Sequence, residues 1–277
     1  MTMLDCAGRV LDLSRPRVMG VLNVTPDSFS DGGAYVEPAK ALDQARRMAA
    51  EGAAVIDVGG ESTRPGAADV AVDEELRRVV PVIEAIADEL DVVVSVDTSK
   101  PEVMRAAVAA GAGLVNDVRA LRAPGALETA AGLEAAVCLM HMQGEPRTMQ
   151  HTPRYADVVA EVSAFLAERV AACEAAGIAR ERLLLDPGIG FGKAVEHNLS
   201  LLKHLDALGR LGLPVLLGVS RKSLIGAVLD RPVDGRLNGS LALAALGAWQ
   251  GAALVRAHDV AATAEVLAMC QAVRDAP

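Results

Sequence analysis

Short aliphatic and β-branched runs alternate along the chain with longer stretches whose apolar residues recur every three or four positions. The runs Val18–Val24, Ala54–Val58, Val92–Val96, Leu114–Asn116, Ala136–His141, Leu183–Asp186, Val215–Val219 and Ala253–Val255 predict eight strands. They are almost continuously apolar, the pattern of strands covered on both faces, as in a parallel sheet. Between them lie helical stretches. Ala39–Glu51 stops at Gly52, and Asp73–Leu90 sets Leu76, Val79, Val80, Ile83 and Ile86 at helical spacing. Pro101–Ala110 opens on proline and stops at Gly111, Tyr155–Ala176 stops at Gly177, and Ser240–Gln250 stops at Gly251. Proline in the first turn and glycine past the last are ordinary helix punctuation. Strand–helix alternation without a break in composition predicts one α/β domain over residues 1–277. Eight units favour a closed (β/α)8 TIM barrel over an open sheet. Leu4–Arg17, with a turn at Gly8, predicts a small hairpin below the barrel, so that residues 1–17 form an N-terminal extension.

Composition narrows the function classes. The 277 residues match one such barrel, typically about 250 residues long. The chain is 52% hydrophobic but only 2% aromatic, so its core is built from Ala, Val, Leu and Ile. The net charge of −9 and the lack of a basic run argue against nucleic acid as a partner, and anion binding must rest on a few local cations. Cys6, Cys138, Cys173 and Cys270 lie far apart without a CxxC, which is neither a disulfide framework nor a zinc pattern. They read as reduced, core-filling thiols of a cytoplasmic protein. No apolar run interrupts the early charges Asp5, Arg9, Asp12 and Arg15, so a signal peptide is not expected. The uncharged stretch between Arg236 and Arg256 is broken by Asn238, Gly239, Ser240, Gly247, Gln250 and Gly251, and reads as a helix and a buried strand rather than a membrane span.

Polar residues recur at the C-terminal ends of the expected strands: Asn23, Asp57, Asp97, Asn116, His141, Asp186, Lys222 and the pair Arg256 and His258. Taken singly, each reads equally well as a cap or a turn former; Asp97 precedes a helix start and Asp186 precedes Pro187. In a barrel they converge on one rim, where active sites of this fold sit. The segments 23–33 and 61–66 are rich in hydroxyls, Gly and Pro and longer than closure requires, which predicts loops that fold over a substrate. The planar fork of Arg64 suits a phosphate. Asp186–Lys193 is glycine-rich but is neither a Walker A loop nor set in a dinucleotide fold. Its glycines let backbone approach a flat ligand, with Phe191 against the ligand's face. Ser220-Arg221-Lys222-Ser223 places a cation and hydroxyls at a helix start, and phosphate sites in barrels often lie near strands seven and eight.

Taken together, the segments 23–32, 57–66, 96–98, 116–117, 140–144, 186–193, 220–223 and 256–259 resemble the dihydropteroate synthases, in the family's order over about residues 17–260. Ile189 between the glycines is a conservative departure. The resemblance implies condensation of 4-aminobenzoate with (7,8-dihydropterin-6-yl)methyl diphosphate to 7,8-dihydropteroate and diphosphate, in a cytoplasmic homodimer sensitive to sulfonamides. It implies that Asp186 accepts two hydrogen bonds from the pterin, that Asn116 and Asp97 read the rest of the ring edge, that Lys222 bonds the other edge, and that Phe191, Met140 and Gly218 line the pocket. Asn23, Thr63, Arg64, Arg256 and His258 would hold the diphosphate, and Ser223 the aminobenzoate carboxylate. Phe29, Thr63 and Pro65 would close over both. Asp97, Lys222 and Arg64 are the expected catalytic residues, and Mg²⁺ the expected cofactor, with Asn23 its one protein ligand. The expected partners are these small substrates and a second copy of the chain, with no nucleic acid and no membrane. Two readings of the same rim stay open: a pterin-binding methyltransferase acting on methyltetrahydrofolate and a corrinoid, and a catalytically silent pterin-binding homologue. A Schiff-base aldolase using Lys222 is a third.

Overall fold

The computed structural model describes residues 3–25, 38–62, 69–144, 149 and 153–277. It opens on a hairpin, β1 (Met3–Cys6) and β2 (Arg9–Asp12), paired antiparallel from Met3 with Asp12 to Cys6 with Arg9. Gly8 takes φ of +84° in the turn, and its N–H donates to Asp5 Oδ1 at 2.8 Å.

Eight further strands follow: β3 (Arg17–Asn23), β4 (Ala53–Gly59), β5 (Val93–Asp97), β6 (Leu114–Asp117), β7 (Ala136–Met140), β8 (Leu183–Asp186), β9 (Val215–Gly218) and β10 (Ala252–Ala257). All are parallel to their neighbours, and β10 pairs with β3 to close the barrel. The eight expected strands are present, with bounds moved by at most two residues. Leu4, Cys6, Leu11 and Leu13 pack against Met19, Val55, Val93, Leu114, Cys138, Leu184, Leu216 and Leu254, so the hairpin plugs the barrel at the N-terminal side of its strands. Gly113 shows how close this plug sits: a Cβ there would stand 2.5 Å from the Cys6 carbonyl oxygen. The opposite mouth, at the strand C-termini, is where the polar residues lie.

The helices are α1 (Pro38–Ala50), α2 (Val72–Glu89), α3 (Pro101–Ala109), α4 (Ala126–Ala131), α5 (Val158–Ala175), α6 (Val195–Lys203), α7 (Asp206–Gly209), α8 (Ser223–Leu229), α9 (Leu237–Trp249) and α10 (Val260–Arg274). Their apolar faces cover the outside of the barrel in one continuous cluster. Two starts differ from expectation by three residues, for local reasons. Helix α5 begins at Val158 rather than Tyr155, because Asp157 accepts the N–H groups of Val159 and Ala160, both at 3.0 Å, as an N-cap. Helix α9 begins three residues before Ser240, whose hydroxyl donates to the Arg236 carbonyl at 2.8 Å within the helix. The uncharged stretch resolves into α9 and β10, and among the described residues no helix is long and apolar enough to cross a membrane. All four cysteines are unpaired; Cys6, Cys138 and Cys173 are buried.

Candidate active site

The strand ladder fixes which side chains meet at the mouth. Asn23, Gly59, Asp97 and Asn116 are consecutive partners across β3, β4, β5 and β6. A Cβ on Gly59 would stand 3.6 Å from both the Asn23 amide oxygen and Asp97, so these two line a common surface. Further round the barrel Met140 pairs with Asp186, and Gly218 pairs with Arg256.

One half of the mouth is an ion cluster centred on Arg256. Its Nε donates to Asp57 Oδ2 at 2.6 Å and its Nη2 donates to Asp97 Oδ2 at 2.9 Å. Asp57 is fully buried and also accepts from Ser95 Oγ at 2.6 Å and Asn116 Nδ2 at 3.1 Å. A carboxylate removed from water is costly unless it is paired, and Asp57 is paired three times. The sequence marks Asp57 as a rim position but gives it no role; in the fold it orients both Arg256 and Asn116. Burial pushes the Asp97 carboxyl up to about 7, with the Arg256 charge holding it back and the Asp57 charge adding to the rise. Burial also works against the Arg256 charge, but Asp57 and Asp97 more than offset it, so the guanidinium titrates above its ordinary range.

The other half is built on Asp186, buried at the end of β8. Its Oδ1 accepts the Gly188 N–H at 2.7 Å, the turn expected before Pro187. Burial raises its pKa, and the Gly188 bond and the Lys222 charge oppose that rise. Lys222 precedes α8 with an extended backbone, and its Nζ stands 4.2 Å from the centre of the Phe191 ring. Burial lowers the Lys222 pKa to about 8, against the stabilising charge of Asp186. The two halves sense one another: Arg256 acts on both Asp186 and Lys222, and Asp97 acts on Lys222. Phe191 packs against Val118, Met140, Met142 and Met149, which form an apolar wall. This arrangement can grip a flat heterocycle: hydrogen-bonding carboxylates and an amide along its edges, an aromatic and methionine wall along its face, and cations beside it.

The remaining expected residues divide clearly. Ser220 links His258 to the rim, its hydroxyl lying 3.0 Å from His258 Nδ1 and accepting the His258 backbone N–H at 3.2 Å. Ser223 is exposed at the first position of α8. His141 is a correction to the rim reading. It is buried one residue beyond β7, edge-on to Phe165 at 4.9 Å and bonded to Lys193, and burial lowers its pKa to about 3. It is a neutral imidazole packed against Phe165 and Lys193. Phe29, Thr63, Arg64 and Pro65 lie outside the described residues.

The sequence also misses what anchors the second long loop. Lys100 Nζ donates to Glu61 Oε2 at 2.5 Å and to Glu75, while Arg78 donates to the Gly60 carbonyl at 2.8 Å. Glu61 also accepts the Val70 N–H at 3.2 Å, so it joins the two sides of the segment that carries Arg64. Glu75 lies in the first turn of α2, yet it is fully buried. The clue was its place in the helix, four residues before Val79 on the apolar stripe.

Residues 19–258 match the family described as pterin binding enzyme. The dihydropteroate synthase of Escherichia coli strain K12 is 56% identical over 273 residues, covering 99% of this chain and 97% of that protein. The structure of Xanthomonas albilineans dihydropteroate synthase with 4-aminobenzoic acid aligns with a TM-score of 0.94 at 56% identity, over 100% of this chain and 99% of that one. The structure of the Xanthomonas albilineans enzyme in complex with 7,8-dihydropteroate aligns with a TM-score of 0.91 at 54% identity, over 99% of this chain and 100% of that one. With a mouth that pairs acids for a heterocycle with cations for an anion, and with this likeness along its whole length, the chain belongs to the pterin-binding enzymes and, among them, to the dihydropteroate synthases.

Proposed function

We propose that the mouth of this barrel joins 4-aminobenzoate to (7,8-dihydropterin-6-yl)methyl diphosphate, giving 7,8-dihydropteroate and releasing diphosphate. The observation that carries this reading is the convergence of Asp97, Asn116, Asp186, Lys222 and Arg256, drawn from five different strands or strand ends, on one partly buried surface. The pterin offers a ring N–H and an amino group side by side, and the Asp186 carboxylate accepts both. Asn116 and Asp97 read the rest of that edge, Lys222 donates to the opposite edge, and Phe191, Met140 and Gly218 bound the pocket.

The bond that breaks joins the pterin methylene carbon to the diphosphate oxygen. Its electron pair leaves with the diphosphate, and positive groups near the departing anion ease that step. Arg64, Arg256 and His258 are the positive groups assigned to that step, with Asn23 and Thr63 adding polar contacts. Positive charge left on the methylene and ring is stabilised by the Asp97 carboxylate. The neutral amine of 4-aminobenzoate then forms the new C–N bond and gives its proton to water. Ser223 is the contact assigned to the aminobenzoate carboxylate, and Phe29 and Pro65 are assigned to closing the site.

Mg²⁺ fits the donor set in one way. It favours oxygen ligands and keeps several waters, and Asn23 offers one amide oxygen at the rim beside Asp97. Asn23 would therefore supplement diphosphate oxygens rather than form part of a protein cage. When bound, the ion neutralises charge on the leaving diphosphate.

Diphosphate release measured with each substrate alone and with both tests this reading. Release requires both substrates, stops with EDTA and returns with added Mg²⁺. Equal release without 4-aminobenzoate, or none with both present, overturns it.

A second copy of the chain completes the proposal. Val228, Leu229, Leu246, Trp249, Met269 and Val273 are large apolar side chains exposed on α8, α9 and α10. Arg274 donates to the Ala248 and Trp249 carbonyls at 2.7 and 2.8 Å, which holds α9 and α10 side by side. Covering such a face favours homodimerisation. Sedimentation equilibrium should give twice the 28.7 kDa chain mass. Trp249→Glu should shift that mass toward the single chain, and a wild-type protein sedimenting as one chain overturns the assignment.

A further inference from the structure

We infer that Lys193 is a positioning residue for the pterin pocket: its buried ammonium is the template on which the 187–193 loop folds to present Gly188 to Asp186 and Phe191 to Lys222. The inference rests on the proposed pterin reading of that pocket and extends it to a side chain that lies beneath it. Lys193 is only 3% exposed, and its Nζ is 2.9 Å from the Gly188 carbonyl, 2.9 Å from the Phe191 carbonyl and 2.9 Å from His141 Nδ1. An ammonium has three N–H donors and no acceptor, so these three short partners, with the His141 carbonyl at 3.3 Å as a longer fourth, use its whole capacity. Burial lowers the Lys193 pKa to about 7, and the Asp186 charge opposes that fall. His141 accepts at Nδ1 as a neutral ring, which places its proton on Nε2; burial keeps it neutral.

Backbone conformation explains why the carbonyls point inward. Gly188 and Gly192 have φ of +66° and +60°, which turns successive peptides toward one centre. A Cβ at Gly188 would overlap the His141 carbonyl oxygen, and one at Gly192 the Gln143 carbonyl oxygen. The loop is therefore pressed against the segment after β7. Without a cation its carbonyl oxygens would face each other in a space closed to water, which is costly. Other loop groups are already engaged: Tyr155 donates its hydroxyl to the Gly192 carbonyl at 2.7 Å, and Asn198 accepts the Gly190 N–H at 2.7 Å.

The link to the pocket runs through two residues, Gly188 and Phe191. Gly188 donates its N–H to Asp186 Oδ1 at 2.7 Å and accepts from Lys193 at its carbonyl. The ammonium thereby holds the residue that holds one Asp186 oxygen, and so orients the other oxygen toward a ligand. Through Phe191 it sets the ring over which the Lys222 ammonium lies.

Lys193→Met and Lys193→Gln in the full-length enzyme test this. Methionine keeps most of the stem and removes the donors; glutamine keeps two N–H groups. In Lys193→Met the KM for the pterin diphosphate rises on the order of tenfold or more, the KM for 4-aminobenzoate stays within about twofold, and Lys193→Gln recovers part of the loss. Calorimetric titration with 6-hydroxymethylpterin reads the pocket without turnover and shows the same ranking. Should Lys193→Met fail to fold, Lys193→Gln carries the comparison. A lower Tm with unchanged pterin affinity, or equal rises in both KM values, overturns the inference. Absent turnover in the wild type counts instead against the proposed reaction, and the titration still decides the role of Lys193.

Discussion

Asp97→Asn lowers kcat by roughly 10²- to 10³-fold while the barrel stays folded. The magnitude is that of removing one preorganised group aimed at charge that develops in the transition state. The side chain keeps its shape, and Arg256 keeps its 2.6 Å bond to Asp57, so the ion cluster does not collapse. The variant also changes the pH profile. Burial places the Asp97 carboxyl at about 7, and the ionised form is the one that stabilises positive charge. Wild-type kcat/KM therefore falls as pH drops through about 7, and the variant loses that limb. The stability sign is opposite. With its folded pKa raised above the ordinary 3.8, the native state holds this proton more tightly than the unfolded chain, so this group's contribution declines as pH rises from about 4 to about 7. The Tm of Asp97→Asn relative to wild type should rise between pH 5 and pH 8. Wild-type rates in the variant, or a flat wild-type profile between pH 6 and 8, would remove Asp97 from the chemistry.

The pH argument shows what kind of site this is. Asp97 and Asp186 are pushed toward neutrality by burial, while Lys222 is pushed toward losing its proton. Arg256 opposes that shift at Asp97, the Gly188 N–H and then Lys222 oppose it at Asp186, and Asp186 opposes it at Lys222. A bound heterocycle adds hydrogen bonds that favour the charged forms, so ligand binding and ionisation reinforce one another. Removing a single member alters the proton affinity of the rest, and the cluster titrates as a unit.

The strands were legible because both faces are covered, which makes each an apolar run ended by one polar residue. The same feature exposed Asp97, Asn116, Asp186 and Arg256, each the first charged or amide residue after an apolar run. Pairing was not legible. Asp57 and Arg256 stand 199 positions apart and meet because β10 and β4 both flank β3 in the closed barrel. His141 followed the same rule of position as Asp97, yet it lies one residue beyond β7, where its side chain meets Lys193 rather than the mouth. Lys193 itself read as the end of a glycine-rich segment. Only the folded loop shows that its glycines aim carbonyls at one ammonium.

Asp186→Asn should weaken pterin binding by roughly a hundredfold or more, because one hydrogen bond of the pair is replaced by donor against donor and the other loses its charge. The geometry sharpens the expectation. The Gly188 N–H points at Asp186 Oδ1 from 2.7 Å and will hold the carbonyl oxygen of an asparagine there. The amide NH₂ then faces the ligand, donor against donor. Asparagine should therefore bind pterin no better than alanine, even though it is closer in size to aspartate. A second consequence falls on Lys222. Burial lowers its pKa to about 8 and the Asp186 charge resists that fall, so neutralising Asp186 moves it lower still. Pterin binding by Asp186→Asn should then decline at a lower pH on the basic side than in wild type. Calorimetric titration of wild type, Asp186→Asn and Asp186→Ala between pH 6 and 9 measures both effects. Wild-type affinity in the asparagine variant, or an unmoved basic limb, would separate Asp186 from the heterocycle and from Lys222.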